Sequence, residues 1–131
     1  MRQADQKSFD AALEQVLSEL PEELKRLLDE VPLIVDDQPS ESILAKARVR
    51  RAEFLCGLYT GIPLTRRSVH HSGRLPDVIS LFRMGISFAA RAEEGRRFEP
   101  ALKEQIRRTL LHEIGHHFGM DEDDLRRLGF G

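Results

Sequence analysis

Apolar residues recur along this chain in two periods, and the changes of period divide it into elements. Phe9, Leu13, Val16, Leu17 and Leu20 fall at steps of mostly three or four residues and predict a first amphipathic helix. Pro21 opens a second, with Leu24, Leu27 and Leu28 on its apolar side. Leu33-Ile34-Val35 reads as a short strand, and Pro32 before it marks a strand start or an edge. Asp36 to Ser42 is a polar turn. Ile43 to Glu53 leaves two readings open: its composition favours helix, and a mobile connection fits as well. Phe54 to Tyr59 is an apolar run that reads as a second strand, closed by Thr60-Gly61-Ile62-Pro63. A basic loop from Thr65 to Pro76 holds His70 and His71, and Asp77 to Arg83 reads as a third strand. Phe88 to Phe98 is charged, contains Gly95, and reads as a connection with partial helix.

The longest pattern comes next. Leu102, Ile106, Leu110, Ile114 and Phe118 form the buried stripe of one long helix. Gln105, Thr109, His112 and His116 fall on a neighbouring stripe, where a cleft would lie. Pro100 fits the first helical position, where its missing N–H costs nothing, and Gly119 fits the left-handed residue that ends a helix. Gly115 inside the helix costs about 1 kcal/mol relative to alanine, so it asks for a packing reason. A short last helix runs from about Asp121 to Leu128. Helices, then strands, then helices make an α+β domain rather than a regular strand–helix alternation.

Composition narrows the class of partner. With 131 residues the chain is read as one domain, 1–131, with a modest core. Charged residues are 32% of the sequence and the net charge is −2, which argues against nucleic acid and against an anionic membrane as partners. The single cysteine, Cys56, sits in an apolar run and reads as a buried, inert thiol. The first ten residues are polar and no apolar run approaches membrane-spanning length, so a cytoplasmic protein is expected.

The chemistry is concentrated in His112-Glu113-Ile114-Gly115-His116. Histidines four apart on a helix stand one above the other, so two imidazoles can bind one ion. The glutamate between them is turned about a hundred degrees away and can reach a metal-bound water without being a ligand. This spacing points to zinc hydrolase chemistry, most often on peptides. Both histidines as plain surface or core residues is the bland alternative.

The run from Arg108 to Gly119, ending in this motif, resembles the signature of small bacterial zincin-like proteins, minimal metallopeptidase domains. Leu20-Pro21-Glu22-Glu23 with Val31, then Gly57 to Leu64, then Leu75 to Phe82 agree with that family in order. The resemblance implies a reduced zincin fold, with a small mixed three-stranded sheet packed on the C-terminal motif helix beside N-terminal helices. It also implies Zn2+ on His112 and His116, Glu113 as general base and proton shuttle, and a peptide or protein substrate. By the same resemblance the substrate lies extended along an edge strand beside the motif helix, a strand including Val78 to Phe82. A zincin-like domain that hydrolyses nothing and holds peptides, with or without metal, is the second expectation, and a hydrolase of non-peptide amides the third.

Fifteen residues follow His116, too few for a separate helix to return with a distant ligand. Extending the motif by its own spacing lands on Glu122 as third ligand, in a place where metzincins, which it resembles, carry histidine. Asp121 and Asp123 are lesser candidates. Asp121 also suits the N-cap of the last helix, with the carboxylates after it favoured by the helix dipole. His117 reads as structural, turned towards Ile106 and Leu110. His70 and His71 read as solvated or as oxyanion donors, and Tyr59 as packing or as a donor to a tetrahedral intermediate. Arg66, Arg67, Arg96 and Arg97 read as solvated charges or a patch for an acidic partner.

Overall fold

The computed structural model describes residues 1–61 and 77–127, with the side chains of Glu122 and Leu125 outside that description. The loop expected over Thr65 to Pro76, with His70, His71, Arg66 and Arg67, therefore lies outside the described residues. So does Ile62-Pro63, read as part of the closing turn of the second strand.

Helix α1 (Gln3–Glu19) buries Phe9, Ala12, Leu13 and Val16, and ends where Pro21 removes an N–H from the path. Helix α2 (Glu22–Glu30) starts directly after that proline and buries Leu24 and Leu27. Strand β1 (Leu33–Asp36) follows. The ambiguous stretch after it resolves into two pieces. Helix α3 (Glu41–Ala47) starts where the Ser40 side chain accepts the Ile43 N–H at 3.2 Å, and it stops at Arg48 with φ +58°. A 3-10 turn then takes Ala52–Phe54.

The second strand begins later than the apolar run suggests. Strand β2 is Gly57–Thr60, and Phe54 to Cys56 lie outside it. The reason is local packing: the Leu55 carbonyl lies against Gly85, which leaves the chain before Gly57 turned across the sheet end. Strand β3 is Val78–Phe82. Arg83 does not extend it but starts helix α4 (Arg83–Arg91), five residues before the partial helix read from the sequence. Ile86 and Ala90, one turn apart and fully buried, hold that helix down. Its first residue is clamped: the Arg83 guanidinium donates to Asp10 at 3.0 Å and to Asp37 at 3.0 Å, tying α4 to α1 and to the end of β1. Helix α5 (Phe98–Phe118) carries the motif, and α6 (Glu122–Arg127) follows.

The sheet order is β1-β3-β2, with β1 parallel and β2 antiparallel to β3. This is the α+β, mixed three-stranded architecture expected. The expected substrate strand is not at an edge, however. Val78–Phe82 is the middle strand, paired on both sides, and Ile79 and Leu81 are fully buried as a central strand requires. Among the described residues, the edge on the motif-helix side belongs to β2, which has a strand neighbour on one side alone.

Two apolar clusters meet along α5. Leu81 shares one with Phe9, Leu13, Ile86, Leu102 and Ile106. Ile79 shares the other with Leu24, Leu27, Val31, Leu110 and Ile114. The expected helix stripe is buried from Leu102 to Ile114, while Phe118 at the helix end is half-buried.

The approach of Leu55 to α4 explains Gly85. A Cβ there would lie 2.6 Å from the Leu55 carbonyl carbon and closer still to its oxygen. Gly85→Ala should therefore cost more than about 2 kcal/mol. Gly95→Ala, where φ is +74° and nothing lies within 4 Å of the added carbon, should cost about 1 kcal/mol of backbone strain. Urea unfolding of the two variants checks this; equal losses would rule out crowding at Gly85.

Candidate metal and catalytic site

Helix α5 places the motif through its two ends. It starts at Phe98, so Pro100 is its third residue, still in the first turn where an N–H has no partner to lose. It stops at Gly119, with φ +73° and ψ 25°. Met120 N–H donates to the Gly115 carbonyl at 2.8 Å and Gly119 N–H to that of His116 at 3.0 Å, the paired bonds of a Schellman ending.

Within the last turns His112 and His116 stand over one another, ring centroids 4.4 Å apart. Ligand atoms of His112, Glu113 and His116 all lie within 4.8 Å of one another. The Glu113 carboxylate reaches His116 Nδ1 at 3.1 Å. Although charged in type, Glu113 is 5% exposed. Burial pushes its carboxyl up, against the pull of His112 and of a hydrogen bond from the Tyr59 backbone N–H. Burial also lowers the pKa of His116, favouring the neutral imidazole that a metal requires.

Strand β2 is what buries the glutamate. At Gly57 an added Cβ would meet Thr109 Cγ2 at 2.7 Å, the Ser80 carbonyl at 3.0 Å and Glu113 Cγ at 3.3 Å. Only a residue without a side chain lets the strand lie this close to the helix. Cys56 C=O accepts the Phe82 N–H at 2.8 Å and so faces β3. Alternation turns Gly57 and Tyr59 to the other side, which is how Tyr59 N–H reaches Glu113.

The remaining expectations sort by what the structure brings together. The Tyr59 hydroxyl donates to Asp77 Oδ1 at 2.9 Å, so it is the tyrosine's main chain rather than its phenol that serves the site. His117 is buried. Its Nδ1 lies 3.4 Å from Asp77 Oδ2, and its ring meets the edges of Tyr59 and Phe118. Asp121 is the N-cap of α6: it accepts the Asp124 N–H at 2.8 Å, while Asp124 accepts the Asp121 N–H at 3.1 Å. Asp123 pairs with Arg126 at 3.2 Å. Neither joins the histidines among the described residues. Glu122 is the first residue of α6, and its side chain, like His70 and His71, lies outside the described residues.

Three contributors escaped the sequence reading. Gly57 carried no signal beyond its type, and Asp77 read as a strand residue. Cys56, taken as inert core, is half-buried on the wall of the cleft, and burial raises its thiol pKa. The cleft has a volume of about 720 Å³ and includes Gln105, Thr109, His112 and His116, the stripe predicted to face it.

The donor set suits zinc. Two imidazoles one helical turn apart match its preference for nitrogen ligands, and a buried carboxylate stands beside them. With this geometry agrees a comparison with known families: residues 28–131 match the zincin-like metallopeptidases, and the chain belongs to that family. No curated protein matches the chain. Among the described residues no helix is long and apolar enough to cross a membrane.

The buried glutamate makes stability depend on pH. Glu113 titrates above its ordinary value of 4.5 in the folded chain. The folded state therefore holds its proton longer than the unfolded one, and stability falls as pH rises from the unfolded value towards the folded one. Metal-free Glu113→Gln lacks that cost. It should unfold at higher urea than metal-free wild type at neutral pH, and the gap should close below about pH 4. A gap that does not change with pH would refute the assignment.

Proposed function

We propose that this chain is a zinc-dependent peptidase, with His112 and His116 as metal ligands and Glu113 as general base. One observation carries the reading: a carboxylate, buried and held by a backbone N–H, stands within 4.8 Å of two imidazoles on one helix face. A third ligand is Glu122 in this proposal, since the Schellman ending at Gly119 reverses the chain immediately before α6. Bound there, zinc would supply Lewis acidity, lowering the pKa of a water ligand towards 7 and polarising the substrate carbonyl.

The chain's own residues do the rest. Glu113 accepts the proton that the attacking water loses and returns it to the leaving amine. Its raised pKa suits both halves of that task, because the protonated form is not expensive. Tyr59 N–H keeps one side of the carboxylate fixed while the other exchanges protons. The two histidines serve as neutral donors, and partial desolvation of His116, whose side chain is still 44% exposed, favours that state.

The substrate is a peptide lying along β2, not along Val78–Phe82. With the Tyr59 N–H taken by Glu113, the Gly57 main chain and the Tyr59 carbonyl, both turned away from β3, are the groups that would pair with an extended chain. A bacterial cytoplasmic setting belongs to the same reading; the lone Cys56 thiol, its pKa raised by burial, needs no oxidising compartment.

Calorimetric zinc titration and peptide cleavage followed by mass spectrometry test the proposal together. About one zinc should bind per chain, and His112→Ala should weaken it by more than the roughly 10–100-fold typical of an outer-shell partner. Glu122→Ala should weaken it less. Glu113→Gln should keep the metal and lose about 100- to 10,000-fold in turnover. Peptide binding without zinc and without turnover would favour the holding module over the peptidase.

A further inference from the structure

The cleft beside the histidines continues well past them. Its helix wall runs from His116 back to Gln105, and the eleven steps between them at 1.5 Å each span about 16.5 Å. That length takes about five residues of extended peptide at roughly 3.3 Å each. Since the histidines stand at one end, most of the cleft serves residues on one side of the bond they face.

The ionic groups on that stretch already have partners. Arg108 pairs with Glu104 at 3.2 Å and with Glu93 at 3.6 Å, and Arg126 pairs with Asp123 at 3.2 Å. The Thr109 hydroxyl donates to the Gln105 carbonyl at 2.8 Å. Opposite the helix the wall is apolar: Ala47 and Val49 from the end of α3 and the residues after it, Phe54 and Leu55 around the 3-10 turn, and Leu58 from β2. Phe54 is 58% exposed although it is a large hydrophobe; its ring meets the edge of Phe88, itself 46% exposed, and Arg51 lies over it. Exposed aromatic surface continuous with a reaction cleft is surface that a ligand can cover.

We propose that this end of the cleft is a side-chain subsite selecting a large aliphatic or aromatic residue of the bound peptide, with Phe54, Val49 and Leu55 as its specificity-determining residues. The occupant is a peptide because the subsite is continuous with the open side of β2. It is apolar because the wall's charges are already paired and its uncovered area is hydrocarbon. The proposal takes the identity of the ligand, a peptide, from the peptidase reading, but it concerns binding rather than cleavage.

The test uses the full chain carrying Glu113→Gln, zinc-loaded, and dye-labelled Gly-Ser peptides that differ only in a central Leu, Phe, Ala, Asp or Lys. Leu and Phe peptides should bind about tenfold more tightly than Asp and Lys peptides by fluorescence anisotropy. Adding Phe54→Ala with Val49→Asp should erase that preference while zinc affinity and thermal midpoint hold. Phe98→Ala, an exposed aromatic outside the cleft, should leave it intact. Equal binding of all five peptides, a preference for Asp, or no binding at all would overturn the subsite. The same peptides are offered to zinc-loaded wild type. Leu preference without any cleavage would sink the peptidase reading and keep the subsite; cleavage without preference would do the reverse.

Discussion

The close approach of β2 to α5 at Gly57 is the constraint on which the site depends. Without a Cβ at that position, the strand backbone lies in contact with Thr109 and Glu113. Glu113 is then buried, its pKa rises, and the Tyr59 N–H, two residues further along, arrives at its carboxylate. From the same residue the phenol reaches Asp77, whose other oxygen faces His117 on the motif helix. Strand and helix are thus joined at Glu113 by the main chain and at His117 by a side-chain bridge. Gly61 keeps that bridge possible, because its φ of +134° and missing side chain leave room for the Asp77 carboxylate and the Tyr59 hydroxyl.

The parts of this arrangement that were legible in the sequence are those set by a single helix. The stripe from Leu102 to Ile114, the histidine pair and the glycine ending depend on a period of 3.6, which one element fixes by itself. Sheet order does not work that way. The runs at Phe54–Tyr59 and Val78–Phe82 are similarly apolar, and which becomes the centre is settled by their partners. Ile79 and Leu81 enter two clusters contributed by four helices, and β3 is central for that reason. Phe54 and Leu55 looked like strand because apolar residues in a row usually are; here they wall a cleft. Helix α4 was hidden for a related reason. Its anchor, Arg83, reads as the polar end of a strand until Asp10 and Asp37, far away in sequence, are brought to it. Asp77 and His117 likewise carry no local sign of each other.

Burying an ionisable group costs stability unless it is paired, and the Glu113 environment combines both effects. Desolvation raises the carboxyl pKa while His112 and the Tyr59 N–H draw it back. A carboxyl fully relaxed by salt bridges would hold its charge too firmly to trade protons, and one merely buried would stay neutral. The balance between these is what a proton shuttle would need, and it is maintained by β2, which among the described residues has a strand neighbour on one side alone. In the peptidase reading, stability is given up at the residue where chemistry is required.

The small size of the domain bears on how a substrate would be gripped. Other than α5, the described wall of the cleft comes from β2, the end of α3, the short segment between α3 and β2, and Arg126 of α6; the segment between α3 and β2 buries no residue fully. Phe54 meets the edge of Phe88, and the Leu55 backbone lies against Gly85. The Phe54 ring, in edge contact with Phe88 of α4 and 58% exposed, leaves hydrocarbon to be covered from the cleft. Covering it contributes roughly 25 cal/mol for each Å² of apolar surface removed from water. In the proposed subsite, selectivity would reside in residues contributing little to the core, while Gly57, Tyr59 and Glu113 keep the geometry around the buried carboxylate.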